Sequence, residues 1–151
     1  SVRRGNVHEA RRILSQHLEP NTGYNPTRIE KIMDLYHLAI SKLDSDRPEA
    51  ERRFREVLDL DNKHIAARFG LFKLALDKGD YLTAKSEAEE AVKTDDKSAE
   101  AHYSLALATL KIDGQSGAEF AAWECYQAEQ LDPSYIERTR EIRRELGKEL
   151  A

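Results

Sequence analysis

Residues 65–98 read IAARFGLFKLALDKGDYLTAKSEAEEAVKTDDKS, and this stretch decides the fold. Two amphipathic segments flank Gly79-Asp80. The first sets Ala67, Leu71 and Phe72 at helical spacing, and the second sets Ala84, Ala88 and Ala91 at the same spacing. Gly79 suits the end of one helix and Asp80 the start of the next, because an aspartate side chain accepts from the free amides of a first turn. The stretch therefore predicts a helical hairpin.

Working outward, the same pattern recurs. Shifting Ala84, Ala88 and Ala91 back by 34 residues gives Ala50, Phe54 and Val57, and shifting them forward by 37 gives Ala121, Cys125 and Ala128. A shift of 40 back from the Ala50 set reaches Ala10, Leu14 and His17. The partner helices follow suit: Met33, Leu35 and Leu38 map onto Ala67, Phe69 and Phe72, and these onto Ala101, Tyr103 and Ala106. His37 maps onto Leu71 and Leu105, so His37 and His17 are expected to be core histidines with hydrogen-bond partners. A fixed period of this length marks a stack of repeated hairpins, none of which buries its apolar face alone.

Asn6, Thr27, Asp46, Ser116 and Ser134 are each followed three residues later by a glutamate, the arrangement of a capping box or its Asn/Asp analogue. Helices are expected at 6–18, 27–43, 47–60, 64–77, 81–94, 99–112, 117–131 and 135–149. The fold class is all-α, with about three and a half hairpins plus a C-terminal helix. Repeats span 25–64, 65–98 and 99–135, after a lone second helix and loop in 1–24 and before a capping helix at 136–151. That last helix sets Ile136, Ile142, Leu146 and Leu150 on one side. Its other side carries Arg138, Arg140, Glu141, Arg143, Arg144, Glu145 and Lys148, a dry face against a wet one. Because Asn6–Leu18 matches a second helix, its partner is expected upstream of Ser1, which would leave Ile13, Leu14 and Leu18 short of cover.

With Leu71, Gly79-Asp80-Tyr81, Ala84, Ala88 and Ala91 at these spacings, residues 65–98 resemble a full tetratricopeptide repeat. Residues 31–64 and 99–135 resemble it with looser loops, the last through an insertion at Gly114-Gln115-Ser116. Departures are His37 at a usually apolar position, Asn62 and Asp96 where the family often has proline, and a long loop at Glu19–Thr27. The resemblance implies a right-handed superhelix whose concave face is lined by each first helix. Its groove positions carry over to Leu35, Ala39 and Lys42, to Phe69, Lys73 and Leu76, and to Tyr103, Leu107 and Leu110. Some family members grip a terminal carboxylate with lysine, asparagine and arginine. The matching positions here hold Leu35, Ala39, Gly70, Glu100 and Ser104, so that clamp is missing.

Composition limits the alternatives. Among 151 residues, 40% are hydrophobic and 34% charged, with a formal net charge of −4, as befits a folded helical protein with mixed surface charge. A nucleic-acid binder would carry a basic face. Only the segment with Arg3, Arg4, Arg11 and Arg12 leans that way, and Glu9 on the same helix makes a solvated face the simpler reading. No apolar run is long enough to insert in a membrane. Cys125 is the single cysteine, which rules out an internal disulfide and suits the cytoplasm, with a periplasmic setting also open. His8, His17, His37, His64 and His102 show no metal-ligand spacing, and no glycine-rich phosphate loop is present, so neither metal, cofactor nor enzymatic activity is expected.

The expected function is a protein-interaction module that holds a protein or peptide segment along Leu35, Phe69, Lys73, Leu76, Tyr103, Leu107 and Leu110. An exposed apolar strip of this kind marks contact surfaces, and Lys73 would favour an acidic partner. In the competing reading, Leu35, Phe69 and Tyr103 pack sideways onto neighbouring helices. The alternative function is structural: self-association as a homo-oligomer, or docking within a larger multidomain protein.

The register makes a direct prediction. Ala84→Leu or Ala91→Leu forces bulk into a close helix contact and should cost about 1–3 kcal/mol. Thermal melting of both variants checks it, and unchanged melting in both would show the small-residue register to be wrong.

Overall fold

The computed structural model describes residues 26–148, and among them the chain is helical and contains no strand. In order come α1 (Pro26–Lys42), α2 (Arg47–Leu60), α3 (Ile65–Lys78), α4 (Tyr81–Thr94), α5 (Ala99–Asp113), α6 (Ala118–Leu131) and α7 (Ile136–Lys148). Short 3₁₀ turns at Gly114–Gly117 and Pro133–Tyr135 precede α6 and α7. The expected helices from 27 onward agree with these bounds to within one residue. The helix expected at 6–18, the Asn6 cap and the core role of His17 lie outside the described residues.

Local chemistry explains most helix ends. Asp46 accepts from the Glu49 amide at 3.2 Å, and Asp80 from the Thr83 amide at 3.2 Å, as the sequence suggests. His64 Nδ1 and Ser98 Oγ do the same for the amides of Ala67 and Ala101, at 3.1 and 3.2 Å. A cap of this type is worth about 1 kcal/mol. At the end of α3, Gly79 takes φ 81°, and the Asp80 amide reaches back to the Ala75 carbonyl at 2.9 Å. A left-handed residue is what lets the chain reverse there.

Three expected caps are corrected. Thr27 lies inside α1, whose first residue is Pro26, and a proline at a helix start has no amide needing a partner. Ser116 and Ser134 sit in the 3₁₀ turns, whose own backbone bonds lead into α6 and α7. There Ser116 Oγ donates to the Asp113 carbonyl at 2.8 Å, and the Ser134 amide donates to Asp132 at 3.0 Å.

α1–α2, α3–α4 and α5–α6 are antiparallel hairpins, and each rests on the next first helix. One core cluster joins Ala39, Ala50, Phe54, Val57, Ala67, Leu71 and Leu74, from α1, α2 and α3. A second joins Phe72, Ala75, Ala84, Ala88, Leu105 and Ala108, from α3, α4 and α5. A third joins Ala106, Ala121, Cys125, Ile142 and Leu146, from α5, α6 and α7. The nine second-helix positions found by the repeat shift are at most 1% exposed. Ile142 and Leu146 are buried as the cap reading requires, whereas Ile136 is exposed because the helix only begins there.

Phe54 shows how one odd volume is absorbed. Its slot holds Ala88 and Cys125 in the next two hairpins, yet the ring is fully buried. The facing helix supplies Gly70, where a Cβ would lie 2.4 Å from Phe54 Cζ. The backbone of α3 therefore passes against the ring face.

His37 departs from expectation. Leu71 and Leu105, its equivalents, are buried against the hairpin before them, but His37 is exposed and keeps its ring solvated, 6.0 Å from the ring of Tyr36. Among the described residues, no helix is long and apolar enough to cross a membrane.

Gly70→Ala should destabilise the fold, because the added methyl meets a ring that is itself fully buried. Overpacking of this kind costs about 1–3 kcal/mol. Chemical denaturation of the variant reads the loss. Parent-like stability would mean that Phe54 has room to move.

Candidate functional site

The seven strip residues all lie on first helices: Leu35 on α1, Phe69, Lys73 and Leu76 on α3, and Tyr103, Leu107 and Leu110 on α5. Each keeps part of its surface in solvent. Lys73 is exposed, and the other six are half-buried. Leu35 packs against the first core cluster and Leu76 against the second. Leu107 packs against the second and third, so it bridges two repeats. Tyr103 and Leu110 join it on the third. The fold thus gathers Leu76 with Leu107, and Leu107 with Tyr103 and Leu110. Leu35 lies apart on α1, where it lines a surface depression together with Thr27, Glu30, Lys31, Asp34 and Leu38.

The C-terminal end of the strip is closed by aromatic and cationic groups. The ring of Tyr103 lies 5.8 Å from that of Tyr135, and the Arg138 guanidinium stands 4.7 Å from the Tyr135 centroid and 6.0 Å from that of Tyr103. Burial pushes both phenols above their ordinary value. Tyr103 therefore faces both possible roles, since it lines the strip while the start of α7 covers part of it.

Polar side chains fix the helices that carry the strip. Arg68 on α3 donates to Glu87 Oε2 on α4 at 3.1 Å and to the Asn62 carbonyl at 3.3 Å. One repeat on, His102 on α5 reaches Glu124 Oε2 on α6 at 2.5 Å and the Asp96 carbonyl at 2.7 Å. The 34- and 37-residue shifts that align the small residues also align Arg68 with His102 and Glu87 with Glu124. The two ring nitrogens of His102 thus face the Glu124 carboxylate and the Asp96 carbonyl. Between α6 and α7, Glu129 accepts from Arg143 and from Thr139 Oγ1.

Cys125 fills a small-residue slot and is fully buried. Burial pushes its thiol up to about 11. A thiol of that kind is packing material rather than a nucleophile.

Two features of the structure were not singled out in the sequence. One is the pair of polar links just described, visible once the repeat shift is applied to charged as well as small residues. The other is a cluster of exposed aromatic side chains on α6: Phe120, Trp123 and Tyr126 are 46%, 58% and 48% exposed. Their signal was the presence of large apolar residues at second-helix positions that the repeat leaves outside its core.

Residues 44–108 match the family model described as tetratricopeptide repeat. Among solved structures, that of the MamA RS-1 ArsTM double mutant is similar, with a TM-score of 0.60 and 23% sequence identity, covering 97% of this chain and 86% of that one. At that identity the likeness is one of fold. No curated protein matches the chain significantly.

The Glu129 link gives a pH prediction. The Arg143 hydrogen bond, chiefly, and that of Thr139 hold the Glu129 carboxyl below its ordinary value. A lowered folded-state value means that the link stabilises the fold above the unfolded value, about 4.3 for glutamate, and loses that effect as pH falls through the folded one. Glu129→Gln should melt lower than the parent at neutral pH, with the gap closing below about pH 4. Melting curves across that range check it. A gap that stays constant would assign the loss to packing rather than charge.

Proposed function

We propose, for a chain that carries a tetratricopeptide-repeat domain, that it is a non-catalytic scaffold whose first helices hold a protein or peptide segment. The supporting observation is the half-burial of Phe69 and Leu76 on α3 and of Tyr103, Leu107 and Leu110 on α5, next to fully packed neighbours such as Leu71 and Leu105. Leu76, Tyr103, Leu107 and Leu110 are held by the core on one side and open on the other, and Phe69 is half-buried beside them on the first helix α3. Such fixed apolar anchors lose little entropy on binding, which favours an extended or helical segment with hydrophobic side chains. Lys73, exposed among them, adds a preference for acidic residues by steering encounter.

The reading calls for no metal and no cofactor. A formal net charge of −4 makes nucleic acid a poor partner, and a reducing compartment such as the cytoplasm suits the buried Cys125. The coverage of Tyr103 by Tyr135 and Arg138 favours a structural role for that one position. Self-association remains the rival for the strip as a whole, and sedimentation of the chain at several concentrations separates the two.

The anchors differ in what they test. Leu107 bridges two clusters, so Leu107→Ala should lose stability, about 2–3 kcal/mol. Phe69 lies in none of the three clusters and is the cleaner probe. A peptide selected from a display library against the unmodified chain should bind Phe69→Ala at least roughly tenfold more weakly, with melting little changed. Lys73→Ala should flatten the salt dependence of binding. Selected peptides that bind Phe69→Ala and Lys73→Ala like the parent would sink the proposal.

A further inference from the structure

On α6 the side chains of Glu119, Trp123, Tyr126 and Gln130 follow one another at four-, three- and four-residue steps, which places them on one helical face. All four are exposed. The opposite face holds Ala121, Cys125 and Ala128, each fully buried. Phe120 and Leu131, 46% and 41% exposed, flank the outward stripe. The rings of Trp123 and Tyr126 stack at 6.0 Å with an interplanar angle of 30°, so two large aromatic faces are already ordered side by side in solvent. Three aromatic side chains at about half exposure on one short helix are not needed for a core that the other face completes.

The ionisable side chains of α6 itself are all acidic apart from its cysteine and tyrosine. The sequence of α6, AEFAAWECYQAEQL, contains no lysine or arginine and three glutamates. Glu124 is turned inward to His102, and Glu129 is bound to Arg143. Glu119 stays on the stripe itself, four residues before Trp123. The electron-rich faces of Trp and Tyr attract cations, and the same molecule already uses this contact where Arg138 covers Tyr135. An apolar aromatic platform with Glu119 at its edge and no lysine or arginine on its own helix complements a basic segment that also carries apolar side chains.

We infer that the outward face of α6 is a second docking surface, separate from the first-helix strip, and that its occupant is a cationic amphipathic peptide segment of another protein. Guanidinium or ammonium groups of the segment lie over Trp123 and Tyr126 and beside Glu119, while its apolar side chains cover Phe120 and Leu131. This surface needs no contribution from the strip, so it stands or falls independently of the reading given above.

Trp123 is the only tryptophan in the chain, so its emission reports this surface alone. Two designed helical peptides serve as probes, one with leucines and arginines on opposite faces and one with glutamate at every arginine position. The full chain titrated with the arginine peptide should show a saturable change in Trp123 emission that weakens as salt rises. The glutamate peptide should produce none. Binding followed by anisotropy of the labelled arginine peptide should weaken at least roughly tenfold in Trp123→Ala and in Glu119→Lys. It should be unchanged in Phe69→Ala. All these positions are at least partly exposed, and circular dichroism of each variant checks that it remains folded. Equal response to the two peptides, or no response to either, would overturn the inference. So would Trp123 emission that shifts with protein concentration alone, since a second copy of the chain would then be the occupant. Loss of binding in Phe69→Ala would also refute it, by placing the peptide on the strip.

Discussion

Each core cluster takes side chains from three successive helices, and this requirement governs the rest of the molecule. The first helix of a hairpin meets its own second helix on one side and the preceding hairpin on the other. Leu71 and Leu105 are buried because an earlier second helix lies against them, and Ile142 and Leu146 are buried because α7 takes the place that the next first helix would occupy. A hairpin alone would leave the side chains that meet its neighbours in water. At about 25 cal/mol per Å² of apolar surface, that exposure is what drives the stacking.

Close approach is the second condition, and it constrains volume locally. Alanine at 50, 84, 91, 121 and 128 lets the helices meet. Phe54 breaks that pattern in its own helix and is compensated in the facing one, where Gly70 removes the side chain that would strike the ring. Polar links then fix the rotation of each pair. Arg68 and His102 use different chemistry to reach the same two acceptors, a glutamate on the second helix and a carbonyl of the loop before the first. Asn62 and Asp96, which stand where the resembled family often has proline, supply those carbonyls. Removing one member of such a buried pair would strand the other, a larger loss than the pair contributes when whole.

The stack presents two kinds of apolar surface that differ in origin. On the first helices, half-buried side chains are by-products of repeat packing as much as candidates for recognition, and Leu107 shows this directly by touching two clusters. On α6 the aromatic side chains are turned away from every cluster, so the fold does not require them. For that reason an exposed aromatic side chain outside the core is a more specific mark of a contact surface than an apolar one at its margin.

Among the described residues, the repeat period, the helix order, the helix bounds to within one residue and the nine buried second-helix positions were legible in the sequence. Spacing along a helix fixes which residues share a face, whatever lies opposite, and this is why the register could be read without coordinates. Aspartate caps at 46 and 80 were legible for the same local reason. What lay opposite could not be read. His37 occupies a core position by register and is exposed. Ser116 and Ser134 look like caps and sit in 3₁₀ turns. Phe54 fits an alanine slot only because Gly70 faces it. Burial, ring contacts and the His102–Glu124 link depend on which helix arrives from elsewhere in the chain, so only the tertiary structure decided them.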